Sequence, residues 1–267
     1  MRKALQKVRI IVCLKEVPGR DTRYEVSPDG RWIKDSDVSF EISECDEYAL
    51  EEALKLQEKH GGEVVLLTLG TERAEKLMRK GLAMGAEKGI LILDPTNQIT
   101  SPLAAATAFA QVLKNEQYDL VLAGTQSDDF GYAQTGVMLA ELLNVPHATI
   151  VMQVSVDPAA RRLQALREME SGWFQKVEMP FPAVLTIQAG ISQIRFTPLK
   201  GILMAKKKEI RRVELSSLGI NVAEIPRVEV ERIYFPEATR KAEILQGNAE
   251  TVAASLLEKL RKEARIL

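Results

Sequence analysis

The segment best equipped to hold a small molecule runs from Gly124 to Gly136 and reads GTQSDDFGYAQTG, three glycines among small polar side chains, followed by the apolar stretch Val137 to Leu143. Glycines let a backbone approach a ligand closely, and the free N–H groups at a following helix start favour an anion such as a nucleotide phosphate. Ser127, Asp128 and Asp129 also suit a second reading, as simple caps on that helix. Two adjacent carboxylates repel phosphate, so in a nucleotide site they must turn away from it or toward a ribose. The chain contains neither G-x-G-x-x-G nor G-x-x-x-x-G-K-[ST], and no G-x-S-x-G elbow. Cys13, Cys45, His60 and His147 are its entire cysteine and histidine complement. They are too few and too scattered for a zinc site, a disulfide framework or a nucleophilic triad. Cys13 closes an apolar run and reads as a small buried residue, Cys45 as a more exposed residue ahead of a helix. Glu51 and Glu52 read as a solvated helix face, with Glu51 and Lys55 as an i,i+4 pair.

The elements that must position this loop follow from periodicity. Val8 to Leu14, Glu63 to Leu69, Lys88 to Leu93 and Tyr118 to Ala123 are short, nearly continuous apolar runs, the pattern of strands buried on both faces. Between them, Ala49, Leu50, Ala53 and Leu54, then Ala74, Leu77, Met78 and Leu82, then Leu103, Ala106, Ala110 and Leu113 recur at helical spacing. This β-α alternation predicts an α/β fold, a parallel sheet with helices on both sides. Past Pro146 the runs Thr149 to Val156, Arg162 to Glu168 and Phe174 to Val177, with turns at Asp157-Pro158 and Ser171-Gly172, predict an antiparallel extension. In such sheets ligands sit beyond the carboxyl ends of the strands near the switch in strand order. That rule selects the loops after Leu14, before the helix near Asp46, after Leu69 and after Ala123.

Composition bounds the remainder. The 267 residues carry 36 Lys plus Arg against 37 Asp plus Glu, a net charge of −1, which argues against a dedicated nucleic-acid binder. No apolar run approaches the roughly 18 residues that span a bilayer, and Lys15 and Glu16 stop the first one, so no signal peptide and a cytoplasmic location are expected. Residues 1–190 read as one domain and 191–267 as an extended arm. That arm opens with a basic run, Arg195, Lys200, Lys206, Lys207, Lys208, Arg211 and Arg212, which encloses Leu199, Ile202 and Leu203. A leucine anchor with charges to steer an acidic partner is the docking pattern this combination suits. The arm closes with an amphipathic helix, Ala249 to Ala264.

Several of these pieces, in order and spacing, match one family. The chain resembles the β (small) subunit of electron-transfer flavoproteins through VCLKEVP from Val12, ALEEALKL from Ala49, GLAMGAEKG from Gly81, DLVLAGTQ from Asp119, AQTG from Ala133 and ILMAKKK from Ile202. The resemblance implies a doubly wound sheet of the adenine-nucleotide-binding type. It also implies an α subunit that holds the redox-active FAD, and a structural AMP, or a second FAD in electron-bifurcating members, in this subunit. Carried over by position, the pocket would use Cys13, Ser43, Glu44, Cys45, Asp46 and Leu69. The long loop would add Gly124, Thr125, Gln126, Ser127, Asp129, Phe130, Gly131, Tyr132, Ala133, Gln134 and Thr135. Ser43-Glu44-Cys45 stands where many members read Asn-Pro-Phe before an acidic or cysteine residue, Thr125 stands where a lysine is common, and Phe130 and Tyr132 add bulk. The Gln134-Thr135-Gly136 ending resembles that of AMP-binding members more than that of bifurcating ones. Leu199, Ile202, Lys206 and Lys207 would meet partners: flavoprotein dehydrogenases as donors and a quinone reductase or similar acceptor. The implied role is an electron carrier without substrate turnover of its own. A stand-alone adenine-nucleotide-binding signalling or stress protein is the alternative, and an ATP-cleaving ligase ranks third for want of a pyrophosphate loop. The long tail favours the first.

Overall fold

The computed structural model describes residues 7–36, 38–96, 99, 101–226, 229–236 and 242–267. Among them the first apolar run forms β1 (Val8–Leu14), followed by a short antiparallel pair, β2 (Glu16–Pro18) and β3 (Phe40–Ile42). Then come α1 (Glu44–His60), β4 (Gly62–Gly70), α2 (Ala74–Met84), β5 (Lys88–Leu93), α3 (Pro102–Leu113), β6 (Leu120–Gly124) and α4 (Thr135–Leu143). The antiparallel part comprises β7 (His147–Asp157), β8 (Arg162–Glu168) and β9 (Phe174–Pro180), after which the chain returns to the parallel sheet as β10 (Ala183–Ile187). A short helix α5 (Leu199–Ala205), a strand β11 (Ile210–Glu214) and a last helix α6 (Ala249–Lys262) complete the order.

The large sheet runs β11-β5-β4-β1-β6-β10-β7-β8-β9, parallel through β7 and antiparallel beyond it. Alternation along β1 divides its side chains between two cores: Val8, Ile10, Val12 and Leu14 pack with α1 and α2, Ile11 and Cys13 with α3 and α4. The sheet is therefore doubly wound. Local chemistry supports each helix. Acidic Glu44, Asp46 and Glu47 open α1 and basic Lys59 and His60 close it, which complements the helix dipole. Ser101 caps α3 through Ala104 N, with Pro102 at the first helical position.

The composition shift near residue 190 does not coincide with the end of the compact unit. The described residues of 34–230 pack together with those before Val26, and a second unit comprises 26–33 and 231–267. The reason is β11, an edge strand alongside β5. Its basic character reflects edge position, where Arg211 pairs with Glu116 and Arg212 with Glu72 and Glu75. In the second unit α6 is capped by Asn248, whose Oδ1 accepts from Thr251 N at 2.9 Å, and it buries none of its residues.

Candidate functional site

Beyond β1 the chain continues outward on one side to β4 and β5, then returns to β6 on the other side of β1. The switch point thus lies between the carboxyl ends of β1 and β6, where α/β sheets open a crevice. Asp46, in the first turn of α1, ties the two ends together. Its Oδ2 accepts from Lys15 N at 2.7 Å and its Oδ1 from Gly124 N at 2.7 Å. Burial pushes this carboxyl up from 3.8 to about 7, against the pull of the two N–H donors and of Lys15. Approach here is so close that a β-carbon on Gly124 would stand 2.6 Å from Asp46 Oδ1 and 2.7 Å from Cys45 Cβ.

The loop from β6 to α4 is fastened to α1. Glu44 N donates to Asp128 Oδ2 at 2.9 Å, and Asp128 N donates to the Oγ of buried Ser43 at 3.2 Å. Lys15 Nζ reaches Asp129 Oδ1 at 2.7 Å and Ser127 Oγ at 3.2 Å, and lies 4.8 Å from the Phe130 ring centre. Phe130 in turn stacks on Tyr132 at 5.4 Å. Gly131 N donates to Ser127 O at 3.0 Å, while Gly131 and Ala133 both take positive φ, 61° and 55°. Glu44 pairs with Arg20 at 2.9 Å.

These bonds settle what the acidic pair does. Asp128 caps α1, Asp129 is neutralised by Lys15, and α4 has neither a side-chain cap nor an acid in its first turn. The first bond into α4 is Met138 N to Gln134 O, so the N–H groups of Thr135, Gly136 and Val137 have no acceptor among the described residues. Two buried hydroxyls at the same ends of the sheet, Thr125 Oγ1 and Thr68 Oγ1, also lack partners among the described residues. Unsatisfied donors of this kind await a ligand or water.

The remaining residues fall as follows. Cys13 is buried in the core shared with α3 and α4, and Leu69 packs against that core half-buried. Cys45 is buried, not exposed, because the β6–α4 loop covers the start of α1. Burial is the main cause that pushes both thiols up, which disfavours the thiolate form at both positions. Gln126 and Gln134 are exposed, and Thr125 and Thr135 half-buried. Lys15, which sequence reasoning passed over, joins the site from the end of β1, and Asp128, read there as a cap on α4, caps α1 instead.

On α5, Leu199 is 72% exposed, so it is no core residue; Ile202, Lys206 and Lys207 are exposed as well. The basic run is not one solvated face, since Arg195, Lys208, Arg211 and Arg212 are all engaged within the chain. Nor is the α1 surface at Glu51 and Glu52 solvated: both are buried, and Glu51 pairs with Arg195, not with Lys55. Among the described residues no helix is long and apolar enough to cross a membrane.

The chain is thus a doubly wound α/β protein whose switch point lies at the carboxyl ends of β1 and β6, beside the uncapped start of α4. A family model described as the electron transfer flavoprotein domain matches residues 31–218. The protein named electron transfer flavoprotein subunit beta from Methylophilus methylotrophus is 33% identical over 257 residues, 94% of this chain and 97% of that one. The protein of the same name from Bradyrhizobium diazoefficiens is 34% identical and covers 97% of this chain and 100% of its own length. A rice relative, named as the mitochondrial beta subunit, is 31% identical over 265 residues, 97% of this chain and all of its own. The chain belongs to the electron transfer flavoprotein β-subunit family.

Proposed function

We propose that this chain is the small subunit of a heterodimeric electron carrier that takes electrons from flavoprotein dehydrogenases and delivers them to a quinone reductase or similar acceptor. Its α subunit holds the redox-active FAD. This chain performs no substrate turnover; it binds a structural AMP, shapes the flavin site and docks partners. AMP supplies no redox chemistry, only a buried anchor for the β6–α4 loop. The single observation that carries the AMP reading is the uncapped start of α4, with the carboxylates of Asp128 and Asp129 already bound elsewhere. The N–H groups of Thr135 and Gly136 would hold the phosphate, and Thr125 and Gln126 would line its approach. Lys15 and Gly124 would not donate to it, since Asp46 already occupies their N–H groups. Residues 191–267 would recognise partners and pack on the α subunit, a reading supported by α6, whose Leu256 and Leu257 are 47% and 42% exposed.

The test is to coexpress the chain with its α subunit, purify the complex under native conditions, denature it and identify the released nucleotides by chromatography and mass. One FAD and one AMP per heterodimer are expected. Two FAD would replace the AMP reading with that of a bifurcating carrier. A chain that never captures an α subunit would return the stand-alone nucleotide-binding protein to first place.

A further inference from the structure

The apolar segment 196–204 has little packing of its own. Phe196 is 93% exposed, Leu203 58% and Met204 52%, and within α5 only Ala205 is buried. A helix of seven residues has no stability in isolation. Beyond the contact of Gly201 and Ala205 with the domain, its two ends are tied down. At the first end Arg195 closes on α1: its Nε and Nη2 donate to Glu51 Oε2 and Oε1 at 2.8 and 3.0 Å, its backbone N to Oε2 at 3.1 Å, and its Nη1 to Glu58 at 2.6 Å. Glu51 is only 2% exposed, so the carboxylate side of this bidentate pair is shielded from solvent, while Arg195 is partly exposed.

At the second end α2 and the chain after α5 exchange caps. Arg79 Nη1 of α2 donates to Ala205 O at 2.8 Å and Lys208 O at 2.6 Å, with Nη2 braced on Glu75 at 3.0 Å. Lys208 Nζ answers by donating to three carbonyls at the end of α2, Leu82 O at 3.0 Å, Gly85 O at 3.4 Å and Ala86 O at 2.5 Å. Cations at helix C-termini satisfy carbonyls that the helix leaves open. Between the clamps Gly201 lies against α2 so tightly that a β-carbon there would stand 2.3 Å from Ala83 O.

We infer that these two clamps preorganise segment 196–204 as a rigid docking tab, with Glu51, Arg79 and Lys208 as positioning residues that act on partner binding only through the tab. The inference rests on the docking role proposed for Leu199. It divides the three consecutive lysines by function: Lys206 and Lys207 face solvent, whereas Lys208 is turned inward as a cap. A tab already ordered in the free protein spares association the entropy of fixing it. Against a loose tab of the same composition, tighter binding at equal maximal rate is the expected consequence.

The test compares Glu51→Gln, Arg79→Gln, Arg79→Lys and Gly201→Ala in the complex of the full chain with its α subunit. Hydrogen exchange should report amides of 199–205 opening roughly tenfold faster in Arg79→Gln, with partial rescue in Arg79→Lys, at an unchanged global melting temperature. With a flavoprotein dehydrogenase that reduces the wild-type complex, the half-saturating concentration should rise severalfold while the saturated rate holds. Gly201→Ala, which leaves every charge in place, should behave alike and decides the matter if Glu51→Gln does not fold. Unchanged protection, or a saturated rate that falls in step with melting temperature, would overturn the inference. Leu199→Ala keeps the two readings apart. If that variant transfers electrons normally, the docking reading is lost; if it is impaired while the clamp variants match wild type, only the clamps are.

Discussion

Replacement of Asp46 by Asn probes the joint between β1, β6 and α1 directly. The carboxyl is buried with two backbone donors on it, and burial raises its pKa from 3.8 to about 7. The unfolded chain therefore loses this proton near its ordinary value, while the folded chain keeps it until about pH 7. Fewer protons bound in the unfolded state means that stability falls as pH rises across that window and levels off above it. Each pH unit of displacement corresponds to about 1.4 kcal/mol, which bounds the effect at about 4 kcal/mol. The asparagine of the Asp46→Asn variant would be neutral at every pH. Its one carbonyl would accept from Lys15 N or Gly124 N and turn its NH2 toward the other, the same conflict a protonated carboxyl has. The two proteins should therefore match near pH 4 and diverge on the way to pH 8, the Asp46→Asn variant becoming the more stable. Urea unfolding of both at a series of pH values measures the difference, from which other titrating groups cancel. A difference that is flat with pH, or that favours wild type as pH rises, would refute the reasoning and show that the two N–H bonds outweigh burial.

Four further outcomes are expected. Gly131→Val, which forces a branched side chain into φ 61°, should distort the loop and sharply lower the AMP recovered from purified complex; equal recovery removes Gly131 from the site. Leu199→Ala should slow electron transfer from a donor dehydrogenase severalfold at unchanged melting temperature, because that side chain is 72% exposed. Lys206→Ala combined with Lys207→Ala should flatten the salt dependence of association and leave the saturated rate alone, as measured by stopped-flow. Deletion of residues 240–267 should release the α subunit, since burial of Leu256 and Leu260 contributes roughly 1.5–3 kcal/mol each; copurification at wild-type affinity would refute the arm reading.

What the sequence reveals and what it hides divides along a physical line. Strands β1, β4, β5 and β6 announce themselves because both faces are buried, so nearly every position must be apolar. Strand β11 stays hidden for the opposite reason: at an edge its Arg211 and Arg212 remain outside, and only Ile210 and Val213 betray it. The ligand loop is legible from its glycines, which are local, yet the fate of its acids is not. Asp128 serves Glu44 N across 84 residues and Asp129 serves Lys15 across 114. Glu51 makes the point most sharply. On α1 alone it belongs to a run of charged residues that any helix would leave in water; its burial depends on Arg195, 144 positions away. A carboxylate pulled under the surface to meet a distant arginine must hold something in place, since burial of the pair is costly unless its geometry is good. Here it holds the start of the segment that carries Phe196 and Leu199. The departures from local expectation thus cluster at two places, the switch point and the exposed tab, and these are where the proposed function puts the nucleotide and the partner.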